Sequence, residues 1–376
     1  MNNIPSYDRY HRQIILKDFG EAGQQKLFSA KVLVVGAGGL GCPALQYLAA
    51  AGVGTLGIID GDMVDLSNLH RQILYSVHDI GFPKAEKAAE KLRELNPEIT
   101  IKAYGERLNN QNAFSIIREY DIIIDGSDNF AARYMINDAC VILNKPIVHG
   151  SVSQFQGQIA ILNYRKNGAG EPVNYRDLFP KPPKEDEVPN CAEAGVLGVL
   201  PGIIGTMQAS ETIKLITGIG HPLINRIITF NALNNEFYEL ELSVRPGTRS
   251  LIPADEEAFR KTDYEWLCSS ANSELEIDHL SLEKLLSQQN IDIIDVRDIN
   301  EMPEIEEFTT FRIPLKELLG KSSLIKSDTV VIICQTGNRS LQAAKQLKSV
   351  FGESKKVLSL KGGIIKWKQE HAKQLL

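Results

Sequence analysis

KVLVVGAGGLGCPALQYLAAAGVGTLGIID, residues 31–60, is the stretch that decides the fold of the front half of this chain. Its two apolar runs, KVLVVG and TLGIID, predict buried strands, and LGCPALQYLAAA between them predicts a helix. Glycines follow the first strand and open the helix, where backbone amides and a helix N-terminus can approach phosphate groups. These glycines are Gly36, Gly38, Gly39 and Gly41. Asp60 ends the second strand, placed to accept hydrogen bonds from ribose hydroxyls, so the stretch predicts a site for a nucleotide with a diphosphate.

The same alternation of strands and helices continues outward from this stretch. DIIIDGSD and PIVHGSV read as buried strands with NFAARYMINDACVILN as a helix, and PKAEKAAEKLRELN reads as an amphipathic helix between Pro83 and Pro97. This spacing predicts an α/β fold with a Rossmann-like, doubly wound and mostly parallel sheet. The segment NYRKNGAGEPVNYRDLFPKPPKEDEVPN predicts a long loop, and RIITFNAL with EFYELELSV predicts an antiparallel strand pair.

The sequence pattern of the C-terminal part of the chain predicts a second, smaller α/β domain. IDIIDV, TVVIIC and KVLSL read as strands, and NRSLQAAKQLKSVF and IIKWKQEHAKQ read as helices. Between the two sets, residues of weak periodicity predict a linker. We therefore expect a first domain over residues 1–245, a linker over 246–275 and a second domain over 276–376.

Composition excludes several functional classes. The net charge of −6 with scattered basic residues argues against a nucleic-acid partner. No apolar run approaches the roughly 18 residues that span a bilayer, and the N-terminal residues show no secretory signal, so no membrane partner is expected. The 5 cysteines are odd in number and widely spaced, which favours free thiols in a reducing cytoplasm.

Four separated motifs in the front half carry a family resemblance. RYHRQ at residues 9–13, DMVDLSNLHRQ at 62–72, Lys84 and DGSDN at 125–129 follow one another in the order of the MoeB/ThiF family of adenylating enzymes. These enzymes are relatives of the ubiquitin-activating enzymes, and the resemblance covers roughly residues 4–245. It implies that a substrate carboxylate attacks the α-phosphate of Mg-ATP, a reaction in which positioning and electrostatics carry most of the catalysis.

The resemblance assigns roles to individual residues. Asp60 is expected to bind ribose, and Ser67 to Arg71 to line the phosphate path, with Asn68 as a donor and with Arg71 and Lys84 as cations. Asp128 offers an oxygen ligand for Mg²⁺. Arg12 resembles the arginine that enters the neighbouring subunit's site, which implies a homodimer. Asp62, Gln72 and Asn129 complete the expected nucleotide-binding residues.

Each of these residues also has an ordinary structural interpretation. Lys84 and Arg71 could be solvated surface charges, and Asp128 could cap the helix that begins at Asn129. The glycine loop and Asp60 alone would suit an NAD-dependent oxidoreductase equally well. The cations and Asp128 favour ATP, because a dehydrogenase needs neither.

Two further positions are interpreted against the family pattern. Cys191, in VPNCAEAGVLG, matches a cysteine that in relatives with a sulfurtransferase domain attacks the acyl-adenylate or receives sulfur, although a lone cysteine is more often a small buried hydrophobe. Many family members bind structural zinc through two CxxC pairs. Here PVNYRDLF has Asn174 and Asp177 where cysteines are expected, and SVRPGTRSLI holds no second pair. We therefore predict that no zinc binds.

The last hundred or so residues resemble a rhodanese domain. IDIIDVRDINE, CQTGNRS and LKGGIIKW match its first strand, active loop and closing motif in order, although EMPEIEEFTTFRIPL lacks the His-Ile-x-Gly-Ala often found there. Backbone amides and the dipole of the following helix would favour an anion in the loop. Cys334 is thus expected to ionise and hold a persulfide, supported by Arg339. The alternative is a buried cysteine at a strand end.

Together the two resemblances imply activation and sulfuration of a small ubiquitin-fold sulfur carrier ending in Gly-Gly, of the MoaD or ThiS kind. Sulfur would come from a cysteine desulfurase or thiosulfate through Cys334, either directly or through an intermediate with Cys191. The pathway stays open among molybdenum cofactor, thiamine, cysteine synthesis and tRNA thiolation. The alternatives are the NAD-dependent oxidoreductase and a non-catalytic scaffold that presents the carrier to other enzymes.

Overall fold

A computed structural model of the chain describes residues 7–165, 170–182, 195–264, 275–286, 291–298, 300–305 and 307–374. Its internal contacts divide the chain into one unit over Met1–Cys268 and another over Ser269–Leu376. Each unit is built on its own sheet.

The first unit contains an eight-stranded sheet in the order β3-β2-β1-β4-β5-β6-β7-β8. The pairings from β3 through β5 are parallel, and those from β5 through β8 are antiparallel. This confirms the predicted mostly parallel, doubly wound sheet and the predicted antiparallel pair, β7 with β8. The strands are β1 Lys31–Val35, β2 Thr55–Ile59, β3 Thr100–Tyr104, β4 Ile122–Asp125, β5 Ile147–Ser153, β6 Gln156–Leu162, β7 Arg226–Asn231 and β8 Glu236–Glu241.

Helices cover both faces of this sheet. The helix opened by Pro83 begins at Lys84 and buries its alanines and Leu92, as its amphipathic pattern predicts. Within the sequence interpreted as a long loop, the structure has a short helix behind Asn174. The helices are α1 Tyr7–Ile14, α2 Gly20–Ser29, α3 Gly41–Ala51, α4 Lys84–Leu95, α5 Ala113–Ile117, α6 Phe130–Leu143, α7 Tyr175–Leu178, α8 Val199–Thr217 and α9 Glu256–Lys261.

Side-chain alternation along the central strand divides the core into two layers. Val32 and Val34 of β1 belong to one buried cluster, and Leu33 and Val35 belong to the other. Both neighbours of β1 are parallel to it, β2 on one side and β4 on the other. The glycine loop after β1 therefore lies at the carboxyl edge of the sheet where the strand order reverses, the usual place for a ligand in this class of fold.

The segment predicted as a linker, 246–275, differs from that expectation in its first part. Residues 248–264 pack against the first unit, where Ile252, Phe259 and Tyr264 are buried. These apolar side chains are irregularly spaced in the sequence. Their burial therefore could not be predicted from a helical or strand period. Residues 265–274 lie outside the described residues.

The second unit contains a five-stranded parallel sheet in the order β11-β10-β12-β13-β9. Its three longer strands are the ones that the sequence predicts, and the two-residue strands β9 and β11 were not predicted. Its strands are β9 Glu276–Ile277, β10 Ile291–Asp295, β11 Phe311–Arg312, β12 Thr329–Ile333 and β13 Lys356–Leu360. Its helices are α10 His279–Leu286, α11 Asn338–Phe351 and α12 Gly363–Gln374. Across the described parts of both units, no helix has the length and apolar character needed to cross a membrane.

Candidate functional site

The glycine loop is held against the ends of β2 and β4. The Gly36 amide donates to the Ile59 carbonyl at 2.9 Å. Gly36 has a φ of +93°, and a Cβ there would lie 2.8 Å from the Gly126 carbonyl oxygen, so only glycine fits. The Asp60 carboxylate accepts from the amides of Ala37 and Asp62, each at 2.8 Å. Burial raises the pKa of Asp60.

A cavity of about 680 Å³ opens at this edge of the sheet, a volume that suits a small-molecule ligand. It shares several lining residues with a second cavity of about 520 Å³, and Asn68 lines that second cavity but not the larger one. Ser67, Gly41 and Arg12 line neither cavity. The predicted residues that line the larger one are Gly36, Gly38, Gly39, Asp60, Asp62, Arg71, Gln72, Lys84, Asp128 and Asn129.

Two cations converge on Asp62 inside the cavity. Lys84 Nζ lies 3.4 Å from Asp62 Oδ2, and Arg107 Nη2 lies 2.9 Å from Asp62 Oδ1. Burial raises the pKa of Asp62, but the hydrogen bond and charge of Arg107 and the charge of Lys84 outweigh it, so the pKa lies below its ordinary value. The Lys84 side chain is only 7% exposed, so it is not a solvated surface charge. Arg107 was missed at the level of sequence, since no motif contains it.

Asp128 lies exposed on both cavities. The cap of α6 is Asn129, whose side-chain oxygen accepts from the Ala132 amide at 2.8 Å, so the capping interpretation of Asp128 is wrong. Among the residues that the structure describes, no three His, Cys, Asp or Glu side chains cluster as a self-contained metal site. One carboxylate beside these cavities still fits Mg²⁺, which is usually held by one or two carboxylates together with substrate phosphates and water.

Buried polar groups fix the strand end that carries Asp128. Asp125 Oδ2 lies 2.9 Å from His149 Nδ1, and the Ser127 hydroxyl donates to Asp125 Oδ1 at 2.6 Å. Gln208 Nε2 donates to the Asp125 carbonyl at 2.8 Å. These contacts hold the turn from β4 into α6, which sets the position of Asp128.

Arg12 of this chain lies away from the cavity. It is exposed on α1, whose next residue, Gln13, donates to the Ala51 carbonyl at 2.8 Å. Ala51 ends α3, whereas the glycine loop lies at the start of that helix, about 15 Å away at 1.5 Å per residue. Arg12 therefore does not line the cavity of its own chain.

A carboxylate joins the two segments in which the family pattern would place cysteine pairs. Asp177 Oδ2 accepts from the Asn174 amide at 2.9 Å. Asp177 Oδ1 accepts from the Arg245 amide at 3.0 Å and from the Thr248 hydroxyl at 2.5 Å. Asp177 and Thr248 are both buried. Hydrogen bonds thus connect PVNYRDLF to SVRPGTRSLI.

Asp177→Ala is expected to lower the free energy of unfolding of the first unit by about 3 kcal/mol, because it leaves several buried donors without an acceptor. Differential scanning calorimetry with and without a chelator measures this. Thr248→Ser keeps the hydroxyl and is the matched control, expected to unfold like wild type. Unfolding of Asp177→Ala at the wild-type temperature would contradict the role of Asp177. A wild-type transition that moves when the chelator is added would contradict the prediction that no zinc binds.

In the second unit, the loop after β12 surrounds the sulfur of Cys334. The Gly337 amide donates to Cys334 Sγ at 3.2 Å, and the Ser340 hydroxyl lies 3.4 Å from the same sulfur. Gly337 has a φ of +100°, and a Cβ there would lie 2.9 Å from the Gly362 nitrogen. The Ile364 amide donates to the Cys334 carbonyl at 2.9 Å, so the closing motif holds the loop. The Cys334 side chain is fully buried.

Arg339 forms a bidentate ion pair with Glu301, which was not predicted from the sequence. Its Nη1 and Nη2 lie 2.5 and 2.6 Å from the two carboxylate oxygens of Glu301. The hydrogen bond from Arg339 lowers the pKa of Glu301 to about 2. Glu301, and after it the charge of Cys334, raise the pKa of Arg339. Glu301 is the last residue of the motif IDIIDVRDINE. Its place in that motif was the one sequence feature that could have indicated a role for Glu301 in the second unit.

Glu301→Gln is expected to flatten the acid dependence of stability in the second unit. The pKa of Glu301 is lowered from 4.5 to about 2, so the stability from its pair is fully present above pH 4.5 and is lost as the pH falls through about 2. The difference in melting temperature between wild type and variant should therefore shrink from about pH 5 to pH 2.5. Glu317→Gln, which breaks the exposed pair with Lys321, is the matched control. A constant difference would contradict the role of the pair.

The other cysteines contribute no described nucleophile. Burial raises the pKa of Cys42 to about 12 and that of Cys140 well above its ordinary value, so neither forms a thiolate readily. Cys191, predicted to be catalytic, and Cys268 lie outside the described residues.

Comparison with known families matches both units. The ThiF family matches residues 10–249, and the rhodanese-like domain matches residues 278–370. Among solved structures, that of E. coli MccB with ATP covers 65% of this chain and 74% of its own at 23% identity with a TM-score of 0.55. That likeness concerns the fold alone.

Comparison with curated proteins adds relatives of higher identity. The sulfur carrier protein adenylyltransferase of Thermus thermophilus is 48% identical over 262 residues, 69% of this chain and 96% of the relative. The probable adenylyltransferase/sulfurtransferase MoeZ of Mycobacterium tuberculosis is 41% identical over 375 residues, 96% of this chain and 93% of the relative. The adenylyltransferase and sulfurtransferase MOCS3 of Drosophila persimilis is 40% identical over 96% of this chain and 82% of its own length.

Proposed function

Because this chain belongs to the ThiF family and continues into a rhodanese-like domain, we propose that it activates and then sulfurates a small ubiquitin-fold sulfur carrier. The first unit adenylates the C-terminal glycine of the carrier with ATP, and the second transfers sulfur to give the thiocarboxylate. Relatives named as adenylyltransferase and sulfurtransferase extend over nearly the whole chain, which supports both halves.

One observation carries the proposal. Lys84, Arg71 and Asp128 line the same cavity as the glycine loop and Asp60, in a chain that also holds Cys334 in an amide-lined loop. A nicotinamide site needs no such group of cations. The relatives named above are adenylyltransferases and sulfurtransferases, so neither the oxidoreductase nor the scaffold alternative gains support.

In the first half-reaction, a carboxylate oxygen of the carrier attacks the α-phosphorus of ATP as the bond to pyrophosphate breaks. Lys84 and Arg71 neutralise phosphate charge, and Asp62 fixes the direction of Lys84 through their ion pair. Asp60 accepts from ribose hydroxyls with the lone pairs that the loop amides leave open. Mg²⁺, held by Asp128, would supply further positive charge at the phosphates.

In the second half-reaction, the terminal sulfur of a Cys334 persulfide bonds to the carbonyl carbon of the carrier as AMP leaves. A second thiol then attacks the Cys334 sulfur, which releases the thiocarboxylate and leaves a disulfide for an external thiol to reduce. Cys191 is the residue that we assign to this second thiol. The sulfur enters from a cysteine desulfurase or from thiosulfate.

Two further parts of the proposal concern assembly and location. We infer from the family resemblance a homodimer in which Arg12 of one copy reaches the nucleotide of the other. The distance of Arg12 from the cavity of its own chain, at the far end of α3, is compatible with that role. The buried free thiols Cys42, Cys140 and Cys334 favour the reducing cytoplasm.

The test is the intact mass of candidate carriers after incubation with the protein, Mg-ATP and a sulfur donor. Replacement of one oxygen by sulfur is the expected change, and the carrier that responds identifies the pathway. A carrier that is adenylated but never sulfurated, with every donor, would overturn the second half. No mass change in any carrier would overturn both halves.

A further inference from the structure

Residues 256–264, here called the strap, form one wall of the larger cavity. The strap consists of α9 and the three residues after it, and Lys261, Thr262, Asp263 and Tyr264 line the cavity. The ThiF family match ends at residue 249, so the strap lies beyond it. The sequence alone assigned this stretch to a linker.

Aromatic packing anchors the strap from below. Phe259 is fully buried, and its ring centroid lies 4.8 Å from that of Phe114 and 5.4 Å from that of Tyr264. The Tyr264 hydroxyl donates to Asp138 Oδ2 at 2.9 Å, and Asp138 is itself fully buried. Two ring contacts and a buried hydrogen bond therefore hold the strap against the first unit.

A second set of contacts fastens the strap to the loop after β3. Asn110 Nδ2 donates to the Arg260 carbonyl at 2.9 Å and to the Thr262 carbonyl at 3.1 Å. Gln111 Nε2 also reaches the Arg260 carbonyl, at 3.3 Å. These bonds bracket Lys261, so the strap and Asn110 form one continuous wall of the cavity.

The strap lies apart from the junction of the two cavities. Four charged residues, Asp62, Arg71, Lys84 and Asp128, line both cavities and so lie where the two meet. The strap's own charged residues on the larger cavity are Asp263 and Lys261, and Lys261 is paired with Glu257 at 2.6 Å. The strap lines only the larger cavity, and so do several apolar and amide side chains. These are Leu108, Asn109, Asn110, Ala131 and Met135. Apolar surface with a few amide groups suits a flat heterocycle.

We propose that the strap is the base-binding wall of the nucleotide site and determines the affinity of the protein for the purine nucleoside. This inference rests on the proposed function, in that the nucleotide is taken to be ATP. Since the strap does not line the second cavity, where Asp62, Arg71, Lys84 and Asp128 meet, it binds the nucleoside equally in ground state and transition state. Loosening it should raise KM for ATP and leave kcat unchanged.

The test measures nucleotide binding to the full chain by calorimetry, with ATP and with inorganic tripolyphosphate. Asn110→Ala removes both carbonyl bonds and should weaken ATP binding by about 5-fold or more. Phe259→Ala releases the anchor and should weaken it further. Tripolyphosphate binding should stay at the wild-type value in both variants. Asn234→Ala, which removes an exposed amide from the turn between β7 and β8, is the control and should bind ATP like wild type.

Three outcomes separate this inference from the proposed function. Unchanged ATP affinity in Asn110→Ala, with its thermal unfolding intact, would overturn the strap as the base-binding wall. An equal loss of ATP and tripolyphosphate binding would also overturn it, because the effect would then lie at the phosphates. The expected strap effects without any mass change in a carrier would support the strap and count against the proposed function.

Discussion

Cys334→Ser is expected to abolish thiocarboxylation of the carrier while adenylation continues. The variant keeps a side chain of similar size in the loop, but an alkoxyl oxygen cannot carry the transferable sulfur that a thiolate can. Thiocarboxylate formation should fall by about 1,000-fold or more. Carrier-dependent exchange between ATP and pyrophosphate should stay within about twofold of wild type, because Cys334 does not line the nucleotide cavity.

The assay compares carrier mass and pyrophosphate exchange in the same preparations. Cys42→Ser is the matched control, since Cys42 is a buried thiol of the first unit. The folded Cys42→Ser variant should still convert the carrier to its thiocarboxylate. Thiocarboxylate production by Cys334→Ser at the wild-type rate would remove Cys334 from the sulfur path and leave the first half-reaction standing.

Asp128→Asn is expected to reduce carrier-dependent ATP–pyrophosphate exchange by about 10²- to 10³-fold, the effect of removing one preorganised charged group from a phosphoryl-type transition state. The substitution conserves shape and removes the negative charge that would hold Mg²⁺. Stability should stay near wild type, because Asn129 rather than Asp128 caps α6 and Asp128 is exposed.

The dependence of the exchange rate on Mg²⁺ concentration distinguishes a metal-binding role of Asp128 from a purely structural one. Raising the Mg²⁺ concentration should restore part of the exchange rate in Asp128→Asn, whereas the wild type should already be saturated. Glu119→Gln, which breaks an exposed pair with Lys102 away from the cavities, is the control. Exchange at the wild-type rate in Asp128→Asn at low Mg²⁺ would refute the assignment of Asp128.

Much of the fold could be predicted because individual strands and helices depend on residues that are close together in the sequence. The run KVLVVG reads as a buried strand, and Pro83 opens α4 as its position indicates. The same holds for the loop that begins at Cys334, whose glycine and helix start are adjacent in sequence. Motif order also identified several of the charged residues that line the cavity, including Lys84 and Asp128.

The errors and omissions share a different origin. The capping interpretation of Asp128 was wrong because Asn129, one residue later, has the geometry to accept from Ala132. The linker interpretation missed the strap because Phe259 and Tyr264 are buried by partners far away in the chain, Phe114 and Asp138. The sequence pattern around Phe259 and Tyr264 contains no information about such distant partners.

By itself, therefore, the sequence determined the two α/β units, the glycine loop and the two families, since periodicity and short motifs are properties of consecutive residues. Only the tertiary structure decided that Arg107 shares Asp62 with Lys84 and that Asp177 bonds the segment around Thr248. It also decided that Glu301 fixes Arg339. Each of these contacts joins segments that are distant in the chain, and the packing of strands and helices brings them within hydrogen-bonding distance.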